Sequence, residues 1–138
     1  MSQTKLLLVA ACALMAEDGC ILLAQRPAGK QMAGLWEFPG GKLETGETPE
    51  AALVRELAEE LAITVDPARL EPFAFASYGY EKFHLLMPLY LCRHWTGEVT
   101  RLEHAAFAWL KPQEIKALPL PPADERLAAE IGARLRTA

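Results

Sequence analysis

The chain predicts one mixed α/β domain, with helices covering both faces of a mixed sheet. Three observations carry this. Five strand-like runs occupy residues 4–16, 20–26, 70–79, 82–93 and 105–110. Two helical stretches fall at separated places, one between the second and third runs and one after the last. At 138 residues, 51% apolar and 23% charged, the chain fits a single soluble globular domain over 1–138. No repeat, low-complexity segment or linker divides it.

The first run, "KLLLVAACALMA", superficially resembles a secretory leader. It is too short to span a bilayer and continues through "EDG" into a second apolar run, "CILLAQR". Two such runs joined at Asp18–Gly19 predict a β-hairpin, so the first run is expected to be a core strand. "RPAGKQMAG" (26–34) then reads as a loop. The first helix begins at Thr48–Pro49–Glu50, with a hydroxyl N-cap, a proline at the first helical position and an acid near the positive end. It is expected to run to about Leu61. "KPQEIKAL" (111–118) predicts a short helix, and a second long helix starts near Pro122 or Asp124 and runs to the C-terminus.

Composition excludes several function classes. A net charge of −4 provides no basic footprint for a nucleic-acid polymer, so any nucleotide partner is small and locally held. No run is a membrane span. Cys12, Cys20 and Cys92 match no zinc spacing and read as reduced core thiols, which points to the cytoplasm. Oligomeric state has no sequence signature here.

The first helix is unusually acidic. Glu47, Glu50, Glu56, Glu59 and Glu60 cluster with only Arg55 among them. Positions 56, 59 and 60 fall within an arc of roughly 100° on a helix, beside an apolar stripe of Leu53, Val54, Leu57 and Leu61. Like charges at these spacings repel, and a hard divalent cation would relieve the repulsion. A solvated acidic face is an equally good reading of the helix taken alone.

The spacing upstream adds a further signal. From Gly41 the chain reads five residues, Glu47, seven residues, Arg55–Glu56–Leu57, one residue, Glu59–Glu60, then Leu61–Ala62–Ile63. This resembles the Nudix hydrolase box, Gly-x5-Glu-x7-Arg-Glu-U-x-Glu-Glu-x-Gly-U, where U is bulky and apolar. Six of its seven fixed positions and both U positions match, a coincidence on the order of one in 10⁵ at average residue frequencies. The departure is Ala62 in place of Gly, at a position that looks like a left-handed helix C-cap. "AQRPAGKQMAGLWEFPGGKLETGETPEAALVREL" and "LPLPPADE" extend the likeness to the MutT-like branch, over nearly the whole chain.

The resemblance implies an α/β/α sandwich around a mixed sheet. It also implies an Mg²⁺-dependent nucleoside triphosphate pyrophosphohydrolase, releasing nucleoside monophosphate and pyrophosphate, with Mn²⁺ as the alternative cation. Glu56, Glu59, Glu60, Glu103 and the carbonyl of Gly40 would be metal ligands. Glu56 would be the general base and Glu103, in the loop before the last strand, its rival. Arg55 and Glu47 would pair to aim the ligands. Arg26, Phe38 and Asp124 would contact the nucleotide; read as residues alone, they are a surface arginine, a core phenylalanine and a helix N-cap. Asp124 matches a position that is Asn in the oxidised-guanine enzyme, and an ionised Asp only accepts hydrogen bonds. The implied substrates are therefore 8-oxo-dGTP, in nucleotide-pool sanitising, or alternatively CTP, dCTP or 5-methyl-dCTP. A non-hydrolytic Nudix-like binding domain would lack box carboxylates, and all are present. His84, in an alternating strand, reads as structural.

Overall fold

A computed structural model describes residues 4–136. Strand β1 (Leu6–Leu14) is followed by β2 (Ile21–Gln25), β3 (Trp36–Glu37) and β4 (Gly40–Lys42). Helix α1 (Pro49–Leu61) leads to β5 (Glu71–Gly79), β6 (His84–Cys92) and β7 (Ala106–Leu110), and α2 (Pro122–Arg134) closes the order. Short 3₁₀ turns occupy Pro67–Arg69 and Pro112–Ala117, the second within the stretch expected to be a short helix.

The strands form two sheets. One is mixed, in the order β4-β1-β6-β5, with β1 parallel to β6; the other is antiparallel, in the order β3-β2-β7. Successive residues of β1 point to opposite faces, as a two-residue period requires. Ala10, Cys12 and Leu14 pack with Leu53, Leu57 and Leu61 of α1. Ala11, Ala13 and Met15 pack with Leu127, Ala128 and Ile131 of α2. The layers are therefore helix, sheets, helix.

Three sequence expectations need correction. The Asp18–Gly19 turn forms, with Gly19 at φ 87° and the Ala16 N–H donating to the Cys20 carbonyl at 2.9 Å. Yet β1 and β2 share only the Met15–Ile21 bridge and then part into different sheets. The reason lies in their composition. Ala10–Leu14 and Ile21–Ala24 are buried without a break, so each strand needs neighbours and cover on both sides, which a two-stranded ribbon cannot provide. The second correction concerns β3 and β4, which fall in a stretch with no strand expected; at two and three residues they carry no readable period. Third, α2 ends at Arg134, where Leu135 leaves helical geometry and packs back onto the core. Residues 137 and 138, included in the expected helix, lie outside the described residues.

Cys12 and Cys92 are buried on neighbouring parallel strands, and all three cysteines are free thiols. Edge strand β5 is tied to α2 by Arg126 and Arg134, whose Nη1 atoms donate to the carbonyls of Ser77 and Phe73 at 2.9 and 2.8 Å. His84 pairs with Ser77 across β5 and β6 at 2.7 Å, a structural contact. Among the described residues no helix is long and apolar enough to cross a membrane.

Candidate active site

The site is built where β4 passes under α1. Gly40 and Gly41 pair with Ala11 and Ala10 of β1. A Cβ on Gly40 would overlap the Ala10 carbonyl, and one on Gly41 would lie 2.6 Å from both carboxylate oxygens of Glu56. Only glycine lets the strand come this close to both its neighbour and the acidic helix.

Helix α1 begins as expected. The Thr48 hydroxyl accepts from the Ala51 N–H at 3.1 Å, and Pro49 occupies the first turn. It ends on Ala62, at φ 59° and ψ 32°, the left-handed conformation expected from the family glycine.

Arg55 organises the acidic side chains. Its Nε and Nη2 donate to the two oxygens of Glu47, both at 2.8 Å, a bidentate pair. Its Nη1 donates to Glu56 Oε1 at 2.8 Å, and Nη2 also reaches the Lys42 carbonyl at 3.1 Å. The hydrogen bonds from Arg55, with the Glu44 N–H adding to them, hold the Glu47 carboxyl down to about 2. Arg55 itself is shifted upward, chiefly by Glu47.

The five acids then divide. Glu50 leaves the cluster, accepting from the Tyr90 hydroxyl at 2.9 Å. The Glu59 side chain is half exposed and lies 3.5 Å from Arg55. Glu56 and Glu60 remain together, and Glu60 is only 4% exposed. Burial pushes the Glu60 carboxyl well up, and the hydrogen bond with Glu56 pushes it further. Two carboxyls sharing a low-dielectric site cannot both ionise without a counter-charge. Among the described residues, no three His, Cys, Asp or Glu side chains converge as a ready-made metal centre. The donor chemistry nonetheless fits a hard cation, with paired carboxylate oxygens, no thiol lining the cavity beside them and a glycine strand that leaves space there.

A cavity of about 440 Å³ opens onto this pair, lined by Arg26, Pro27, Lys30, Glu37, Gly40, Glu56, Glu60, Glu103 and His104. Cationic and acidic side chains thus share one cavity. Glu103 is exposed on the bend before β7. Arg26 lines the cavity, its Nη1 donating to Glu37 Oε1 at 2.7 Å. Phe38 and Asp124 do not line it. The Phe38 side chain is 3% exposed, in the α2-side core, and its N–H donates to Asp124 Oδ2 at 3.2 Å. Asp124 is not the N-cap of α2 but its third residue, because Pro121 caps and Pro122 starts the helix. Burial drives the Asp124 carboxyl up to about 7, against the pull of the Phe38 N–H, with Glu37 adding repulsion.

The sequence reading missed Glu37, His104 and Lys30. Glu37 lies in a two-residue strand, and His104 reaches it across 67 positions at 2.9 Å. Such a contact leaves no periodic trace; only the nearness of His104 to Glu103 marked that segment.

The NUDIX domain family model matches residues 10–130 of the chain. The chain belongs to the NUDIX family. It is 42% identical over 114 residues to the CTP pyrophosphohydrolase of Escherichia coli strain K12, covering 81% of this chain and 82% of that protein. It is 37% identical over 115 residues to the 8-oxo-dGTP diphosphatase of the same strain, covering 83% and 88%. The solution structure of the E. coli ORF135 protein superposes with a TM-score of 0.83 at 38% identity, over 94% of this chain and 91% of that one. This Nudix protein is a MutT-like hydrolase of phosphoanhydride bonds.

Proposed function

We propose that this Nudix hydrolase converts nucleoside triphosphates to monophosphates and pyrophosphate with Mg²⁺, or Mn²⁺ in its place. The observation that carries the reading is the Glu56–Glu60 pair, with Glu56 held by Arg55, in one cavity with the cationic side chains of Arg26 and Lys30. Glu56, Glu59, Glu60, Glu103 and the Gly40 carbonyl would hold the cation. When bound, it would offset polyphosphate charge and polarise the phosphoryl group. Arg55 takes only Oε1 of Glu56, and Glu56 acts as the base that removes a proton from the attacking water. Arg26 binds phosphate or base. The bidentate Glu47 contact holds the Arg55 guanidinium in the plane that aims Glu56.

Asp124 is the candidate for base choice. It is buried outside the cavity lining, so a base would reach its carboxyl, pushed up to about 7 by burial, only after the Phe38–Asp124 contact opens; protonated, it would then donate to O6 of an oxidised guanine. Ionised, it accepts from the amino group of cytosine. The likeness to both an 8-oxo-dGTP diphosphatase and a CTP pyrophosphohydrolase supports both substrates, with nucleotide-pool sanitising as the first role. Unpaired thiols suit a reducing cytoplasm.

The test is a kcat/KM panel on 8-oxo-dGTP, dGTP, dCTP, 5-methyl-dCTP, CTP and ADP-ribose, scoring pyrophosphate against phosphate. Release of phosphate, or preference for ADP-ribose, rejects the reading. Glu56→Gln is expected to lower kcat by about 10²-fold or more. Near-normal turnover in that variant, with loss in Glu103→Gln, transfers the base to Glu103.

A further inference from the structure

His104 has a role in neither the box nor the chemistry above, and its surroundings are unusual. It is only 7% exposed. Its Nε2 lies 2.9 Å from Glu37 Oε2 and 3.6 Å from Glu60 Oε1, while the other oxygen of Glu37 holds Arg26 at 2.7 Å. Its Nδ1 is buried without a hydrogen-bond partner. An orphaned buried N–H is costlier than an orphaned lone pair, so the proton belongs on Nε2, which then donates to Glu37 and leaves Glu60 Oε1 in contact at 3.6 Å, beyond hydrogen-bond range.

The backbone around it is held from two sides. The Leu102 N–H donates to the Glu60 carbonyl at 3.3 Å, and the Ala105 N–H to the Gln25 carbonyl at 2.9 Å. Arg101 Nη1 donates to the His104 carbonyl at 2.8 Å. The segment thus bridges α1 and β2, and the ring has little freedom to turn away.

We propose that His104 is a positioning residue for the cation site: its ring, anchored by the Nε2–H bond to Glu37 and held 3.6 Å from Glu60, fixes where the Glu60 carboxylate can sit and links it through Glu37 to the cavity-lining Arg26. This rests on the reading of Glu60 as a cation ligand. Side chains that orient a ligand from behind typically set metal affinity by about 10- to 100-fold. A residue that only filled space would affect stability instead.

The measurement is Mn²⁺ binding to the nucleotide-free protein, followed by electron paramagnetic resonance, beside the melting temperature without metal. His104→Phe keeps the volume and removes the donor; affinity is expected to fall at least about tenfold, with no loss of metal-free stability. His104→Gln returns an N–H near the same position and is expected to restore most of the affinity. Wild-type affinity in His104→Phe overturns the proposal, and so does a His104→Gln protein as weak as His104→Phe. Should His104→Phe not fold, Glu37→Ala removes the anchor from the other end, and unchanged Mn²⁺ affinity there overturns the proposal equally. Glu60→Gln tests the underlying reading separately: if it binds Mn²⁺ like wild type, Glu60 is no ligand and the proposal fails with it.

Discussion

Ala62 and the glycines of β4 show how single residues divide between stability and chemistry. Ala62 holds a left-handed conformation in which its Cβ is strained by about 1 kcal/mol. Ala62→Gly relieves this, so the melting temperature is expected to rise by a few degrees with turnover unchanged. A fall in melting temperature would contradict the strain. Gly40 and Gly41 contrast with one another. Alanine at 41 meets the end of the movable Glu56 side chain, whereas alanine at 40 meets the β1 backbone. Gly41→Ala should therefore fold, by circular dichroism, and lose most turnover; Gly40→Ala should be strongly destabilised. In the sequence Gly41 is visible as the first box position and Gly40 as an implied metal contact, but what each approaches is a tertiary fact.

At the scale of the element, α1 is both a core component and the carrier of the site. Its apolar stripe and its acidic face were readable from a 3.6-residue period, together with its start at Thr48 and its end at Leu61. Thr48→Ala removes a cap bond and should cost about 1 kcal/mol in denaturant unfolding. Leu57 is fully buried against Cys12, Leu14 and Tyr90, so Leu57→Ala should cost about 3 kcal/mol. Because Glu56 and Glu60 ride on the same helix, Leu57→Ala should also lower kcat, whereas Thr48→Ala, at the far end, should not. Strands β3 and β4 went unread because a period needs more than two or three residues to be visible. Glu37 went unassigned with them.

Across the whole molecule, packing two sheets between two helices buries groups that no local pattern marks as buried. Asp124 is the sharpest case. In the native state it keeps a proton up to about pH 7 that an unfolded chain releases near its ordinary value of 3.8. The stability linked to that proton is complete below the unfolded value, declines as pH rises through the window, and is level above the folded value. Glu60 acts in the same direction in metal-free protein, whereas Glu47, with its lowered carboxyl, contributes stability that is lost only as pH falls from 4.5 toward about 2. Melting of metal-free Asp124→Asn should show a shallower decline from pH 4 to 7 than wild type. An unchanged slope would mean that Asp124 is ionised in the fold.

The sequence alone determined the order of the five long strands and two long helices, the limits of α1 and the resemblance in the box, and that resemblance implied the left-handed exit at residue 62. These are local or evenly spaced features, written in neighbouring residues. Tertiary structure decided that β1 and β2 part into separate sheets and that Glu50 pairs with Tyr90. It also decided that Asp124 lies inside α2's first turn, and that His104 meets Glu37 and Glu60 in one cavity. Each of these depends on contacts between residues far apart in the chain, selected by which surfaces must be buried together, and spacing along one strand or helix carries no record of that choice.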